Sequence, residues 1–372
     1  TLTIETDEQL TAKNITAGNA TLKAGAELSA KSVNVGGNAD ITAGTNLTAN
    51  DVSVGGDLNA KGQNIHAVHI KSTGKTRLTA TTGNITAKNL SADGTLDAAA
   101  KTNLTVDSVT GKGKTVLTAQ TGDLTVNGTV RTDADAVLTA DKDVTLAGAF
   151  SAKNNARLTA GQNAKLGGKT DVGETLTAHI GKDLVTNGAV TTGKELIANV
   201  GNDLAMNDLV SAGGSASLTV GRNVTLDGAL TTGGNFTANV AHDLTANDAV
   251  TTGADFAVTV GNDAVTNGIV TTNGALKWSV GNELTTNAAV LSHGRATIDA
   301  QNVNFNADFA SDKNLTITAK NNIFTKEGTK LSTKSDGKLK AHTADLGGDV
   351  RADGTLTIET DEQLTAKNIT AG

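Results

Sequence analysis

Residues 260–274 read VGNDAVTNGIVTTNG, and nearly the same coil of small residues stands on either side of them. VAHDLTANDAVTTGA occupies 240–254, and VGNELTTNAAVLSHG occupies 280–294. Self-similarity at a fixed spacing marks an architecture in which each unit packs mainly on its sequence neighbours. From Thr175 to Gly294 the spacing is 20 residues without a slip, because Val260 recurs as Val240 and Val280. One column holds Ile180, Val200, Val220, Val240, Val260 and Val280. A second holds Leu184, Leu204, Val224, Leu244, Ala264 and Leu284, and a third holds Val190, Val210, Leu230, Val250, Val270 and Val290. Gly181, Gly201, Gly221, Gly261 and Gly281 hold one corner, with Ala241 as the exception. Asn187, Asn207, Asn247, Asn267 and Asn287 hold another, with Asp227 as the exception. Upstream the spacing is nearer 19, as in 20–38 followed by 39–57.

Within a repeat, apolar residues alternate. In TLTAHIG (175–181), Leu176, Ala178 and Ile180 share one face while Thr177 and His179 share the other. Period two is the signature of a half-buried strand, whereas a helix needs spacings of three and four. Each repeat thus reads as three short strands separated by Gly- and Asn-rich corners. Three such strands cannot close a core alone, so successive turns must stack. The expected fold is an all-β parallel β-helix solenoid, about 19 coils of 19–20 residues, running as one array through 1–372. The Asn column is expected to form an amide ladder, and the corner glycines to supply positive φ or close backbone approach.

Composition agrees. Aromatic residues are 2% of 372, Tyr and Pro are absent, and Gly numbers 42. A wide globular core needs large side chains; this chain offers Leu, Val, Ile and Ala, which suit a narrow one. Proline would remove a ladder donor from strands paired on both sides. With no cysteine, disulfides and thiolate metal sites are excluded. A net charge of −7 without a basic block argues against nucleic acid as a partner. No apolar run is long enough for a transmembrane segment, and TLTIETDEQL at the start lacks the features of a signal peptide.

Local motifs do not rise above the repeat. GKGKT (111–115) lacks the earlier glycine and following helix of a phosphate loop, since Ser108 and TVLTAQ stand there. His66 and His69 form H-x-x-H, a spacing that a strand would splay onto opposite faces. Corner acids such as Asp183, Asp203, Asp243 and Asp263 read as stacked, solvated turns. Trp278 interrupts a column of Ala198, Ala238 and Val258, and reads as a locally widened core. Thr191–Thr192, Thr231–Thr232, Thr251–Thr252 and Thr271–Thr272 give one outward hydroxyl column, because neighbouring strand residues point to opposite faces. No catalytic, cofactor-binding or metal-binding residues are expected, and the chain reads as no enzyme. One further feature is TLTIETDEQLTAKNITAG, present at 1–18 and again, unchanged, at 355–372. Both ends therefore read as cuts through a longer shaft.

The segment GNDLAMNDLVSAGGSASLTVGRNVTLDGALTTGG (201–234) resembles the shaft repeats of filamentous haemagglutinin and related two-partner-secretion exoproteins. The resemblance implies a right-handed β-helix, secreted or displayed on the bacterial cell surface. It also implies an outer-membrane two-partner-secretion transporter as a partner, and host-cell receptors or glycans met mainly through other regions. The amino-terminal secretion domain of that family carries Asn–Pro motifs, which a proline-free chain cannot contain. The expected role is a virulence adhesin's structural shaft, a rigid spacer in cell adhesion. The alternatives are a stalk delivering a contact-dependent growth-inhibition toxin, and ice or crystal binding through the stacked threonines.

Overall fold

Threonine, valine, isoleucine and leucine at alternate positions favour extended backbone, and Gly, Asn and Asp between them favour tight corners. In the computed structural model, which describes residues 1–372, every regular element is a β-strand and none is a helix. The strands run parallel and stack into a β-solenoid of about 18 turns, the parallel β-helix read from the repeat. Two units divide the chain, Thr1–Gly188 and Ala189–Gly372.

In Thr1–Gly188 five-residue strands open each turn: Leu2–Thr6, Ala20–Ala24, Ala39–Ala43, Leu58–Gly62 and Thr76–Ala80. Longer strands such as Leu28–Val35, Ile85–Ala92 and Leu104–Gly111 complete these turns. Each long strand is bent. In Ile85–Ala92 the buried alternation slips at Lys88 and Asn89, which are both exposed, so the second and third strands of the turn run together around a two-residue corner. Beyond Thr115–Ala119 they separate, as Leu124–Val126 and Val130–Thr132, then Val144–Leu146 and Phe150–Ala152. A single residue makes the difference. Leu104 pairs with Leu124, a step of 20, but Val109 pairs with Val130, a step of 21. The extra residue enters the second corner, where 127–129 stand over Asp107 and Ser108. Three separate strands per turn therefore hold from Thr115 to Ser292, and longer merged strands stand before and after.

In Ala189–Gly372 the three-strand turn persists: Leu196–Val200, Leu204–Met206 and Val210–Ala212 pair at a step of 20 with Ala216–Val220, Val224–Leu226 and Leu230–Thr232. Further on the turns become uneven. Ala296–Phe305 pairs with Leu315–Thr325 through a register shift between Ala300 and Asn302. At 326–330 the chain makes a wider corner, closed by the Thr329 N–H donating to the Lys326 carbonyl at 3.2 Å. Gly328 turns it with φ of 81°.

The inward residues of the three strands meet in a narrow core. Ile180, Val200, Val220, Val240, Val260 and Val280 are all buried, as are Leu184, Leu204, Val224, Leu244 and Leu284. Burying each contributes roughly 1.5–3 kcal/mol relative to leaving it in water. Trp278 lies inside this core, paired with Val258 and Ile298 and fully buried. Phe256 meets it edge-on at 5.2 Å, and Phe236 lies 5.5 Å from Phe256. The indole is thus part of a buried aromatic cluster and offers no external platform.

Candidate functional site: the corner columns

At a corner the chain leaves the flat sheet, and backbone N–H groups there need other acceptors. Some find carbonyls of the turn before, as the Asn262 N–H finds His242 at 2.9 Å, and corner side chains accept others and bond one another. In the second corner, Asn247 donates its amide to Asp227 Oδ1 at 2.7 Å. Asn267 donates to Asn247, Asn287 to Asn267 and Asn306 to Asn287, each at 2.8 Å. Every amide in this run donates to the turn before and, up to Asn287, accepts from the turn after. Asn187 and Asn207 hold the same slot, exposed, in their own turns.

The corner acids do more than face water. Asp243 Oδ1 accepts the Asp263 N–H at 3.1 Å and the Asn262 amide at 2.7 Å. Asp263 Oδ1 accepts the Glu283 N–H at 3.1 Å and the Asn282 amide at 2.6 Å. Burial pushes the Asp243 carboxyl up, but the Asn262 amide, the Asp263 N–H and His242 together outweigh it and hold it below the ordinary value. In the other unit Asp143 Oδ1 accepts the Asn163 N–H at 2.9 Å and the Asn163 amide at 3.1 Å. In the third corner Asp255 accepts the Ala275 N–H at 2.8 Å, and Asn235 accepts the Asp255 N–H at 3.0 Å. Treating these acids as merely solvated missed their role as acceptors for the following turn. Their fixed recurrence beside corner glycines was the available signal.

The corner glycines are explained by close approach and not by φ. An added Cβ would fall 2.1 Å from the Gly161 carbonyl oxygen at Gly181, and 1.9 Å from that of Gly201 at Gly221. At Gly261 the neighbour is the Ala241 oxygen at 2.0 Å, and at Gly281 the Gly261 oxygen at 1.9 Å. Among glycines, only Gly328 has positive φ.

His66 and His69 are both exposed, which corrects their expected placement on opposite faces. The corner between Ala67 and Ile70 resets the alternation, so Val68 and His69 both turn away from the core. His69 Nδ1 lies 2.8 Å from the Asn89 amide, within the same column system. No group of three metal-ligating side chains gathers there or elsewhere. GKGKT spans the corner between strands Leu104–Gly111 and Thr115–Ala119, with Lys112 3.0 Å from Asp93.

The threonine pairs split between two environments. Thr231, Thr251 and Thr271 stack outward in register, while Thr232, Thr252 and Thr272 are buried. The inward hydroxyls close the third corner: Thr232 donates to the Gly234 carbonyl at 2.9 Å and Thr252 to that of Ala254 at 3.0 Å. Leu291 ends the outward hydroxyl run. A shallow depression of about 590 Å³ lies over Asn38, Asp40, Asp57, Asn59, Lys75 and Arg77. Much of its polarity serves the columns, since Asp57 accepts the Lys75 N–H at 2.7 Å and Asp40 accepts the Asn59 amide at 3.1 Å.

The arrangement is a set of ladders that bind one turn to the next. Comparison with protein-family models, curated proteins and solved structures finds no match to this chain.

Proposed function

We propose that the chain is shaft, the rigid and repetitive part of a large secreted or surface-displayed bacterial adhesin. One observation carries this reading: from 175 to 294 turns stack at a constant step, and corner side chains bond one turn to the next. Such a molecule works through stiffness and length, holding other elements away from the cell. Export through an outer-membrane partner, with turns folding one upon another outside, fits the same physics, because each finished turn is the template for the next. The resemblance of 201–234 to haemagglutinin-type shafts supports the assignment to adhesins.

The test is replacement. In a bacterium carrying the parent gene, these residues are exchanged for an unrelated β-solenoid with the same number of turns, and attachment to host cells is measured. Attachment is expected to fall when the segment is removed and to return with the substitute spacer. Failure of the spacer to restore it, together with host-cell binding by the purified chain, would make these residues a receptor-binding surface and overturn the spacer reading.

A further inference from the structure

One side of the regular turns carries no cation. The segments 187–192, 207–212, 227–232, 247–252, 267–272 and 287–292 form the second corner and the third strand, and they contain no Lys, Arg, His or Glu. Every Lys, Arg and His of 175–294 lies instead on the first strand or at the first and third corners, as Lys277, Arg222 and Lys194 do. Three carboxylates remain on this side, and each is engaged within the chain. Asp208 Oδ1 accepts the Leu209 N–H and Asp248 Oδ1 the Ala249 N–H, both at 2.7 Å, while Asp227 Oδ1 accepts the Asn247 amide.

Apolar side chains stand where charge is missing. Only two large ones are exposed on turns stacked from both sides, Leu209 at 43% and Ile269 at 53%. Both belong to one column, which reads Ala189, Leu209, Ala229, Ala249, Ile269, Ala289 and so has the same sizes from either end. Its carbonyls are laddered turn by turn, Leu209 to the Val190 N–H at 2.9 Å, Ala229 to the Val210 N–H at 2.8 Å and Ile269 to the Val250 N–H at 2.8 Å. The ridge is therefore fixed, with Leu209 and Ile269 about 14 Å apart at the spacing of paired strands. Beside it Thr191, Ser211, Thr231, Thr251 and Thr271 stack outward in register.

We propose that this ridge and the strand beside it pair with the same face of a second copy of the chain, the two solenoids running antiparallel. A two-fold axis between Ala229 and Ala249 lays each column over its own copy, an isologous contact. Leu209 then meets Ile269 of the second copy and Ile269 meets its Leu209, so both exposed side chains leave water together. Asp208 and Asp248 face Gly268 and Gly228 of the copy. A slip of one turn would set Asp208 over Asp248, or Asp248 over its own copy, and like charges there repel. Charge thus fixes the register. The other faces of 175–294 carry both signs with acids in excess, so a copy approaching there meets like charge. Six turns of corner and strand, about 29 Å by 15–20 Å, bury on the order of 1,000 Å² from the two molecules, the lower limit for a specific interface. The pair is accordingly reversible and grows with concentration.

The chain has no cysteine, so introduced pairs report the contact cleanly. Ser211 and Thr271 point outward in the third strand and face each other across the proposed axis. Full-length S211C is mixed with full-length T271C and oxidised. Like-with-like cysteines lie about 14 Å apart along the solenoid in this register, beyond disulfide reach. Mixed dimers should therefore exceed either like-with-like dimer by roughly tenfold. Sedimentation of the unmodified chain should show mass rising with concentration, and the double variant L209N/I269N should raise the dissociation constant about tenfold. Both side chains are exposed, so that variant should melt with the parent. Added salt should leave the pair intact, since the contact is neutral. Like-with-like dimers in excess, a mass independent of concentration, or self-association that survives L209N/I269N would each overturn the proposal. Dissociation by salt would do the same, by making the contact ionic. The pairing stands or falls separately from the adhesin reading.

Discussion

Two neighbouring corners in one unit differ by a single residue and behave differently. Asp107 and Ser108 turn the chain in two residues, while 127–129 turn it in three. The two-residue corners hold Lys88–Asn89, Val68–His69 and Asp107–Ser108, with contacts that change chemistry at each step, such as Asn89 to His69 and Ser108 to Asn89. Three-residue corners free their first position for one repeated side chain, which becomes the Asn247–Asn267–Asn287 ladder of the other unit. At the step where the corner lengthens, Asn127 already donates to Asp107 Oδ1 at 2.9 Å. The uniform ladder thus accompanies the three-residue corners and the constant step of 20.

The largest test of that contrast compares deletion in a strand with deletion in a corner. Removing Thr245 shifts the rest of strand Leu244–Ala246 by one position and turns buried residues outward. Each Leu or Val so exposed costs roughly 1.5–3 kcal/mol, and loss of the cooperative thermal transition is expected by circular dichroism. Removing Gly128 instead converts a three-residue corner into the two-residue kind already present in the turn beneath. That variant should keep its β-sheet spectrum and melt within a few degrees of the parent; equal damage from both deletions would refute the idea that corner length is adjustable.

Next in size is Trp278→Ala, which removes the largest fully buried side chain beside Phe256. It should cost about 3–5 kcal/mol, measured by chemical denaturation, against a much smaller loss for Val258→Ala in the same column. Smaller still is Asn267→Ala, which removes one donor and one acceptor from the exposed ladder. Each bond contributes about 0.5–1.5 kcal/mol at most, and the melting temperature should fall more than for Asn89→Ala in a two-residue corner.

The smallest effect is electrostatic. Asp312 is held below its ordinary value by a hydrogen bond from Lys334 Nζ, 2.7 Å away, and by His293 Nδ1, also at 2.7 Å. A carboxyl depressed on folding stabilises the folded state above its unfolded value, and that stability is lost as pH falls through the folded one. Thermal melts should show a fall in stability below the ordinary carboxylate range that Asp312→Asn lacks. At neutral pH the same variant should be modestly less stable, because the exposed ion pairs are screened by salt.

The columns were legible in the sequence because stacking writes the same residue at the same interval. The repeat columns place Val260 and Leu244 in the interior, and both are buried. Alternation failed where it met a corner. Alternation along one continuous strand puts His66 and His69 on opposite faces, but the chain turns between them and resets its phase. Corner glycines left two physical causes open, and distance between backbones, which no sequence states, decides for close approach. Asp243 and Asp263 showed where they recur but not what they accept, since the N–H they bind belongs to a residue one turn away. The wide corner at 326–330 breaks the repeat, so periodicity could not anticipate it.

The constant step between 175 and 294 also has a genetic consequence. Any change in the gene that inserts or deletes a multiple of 20 codons there leaves every column in register. Every such product has matched edges where it was joined, so molecular length can vary among descendants while each one still folds.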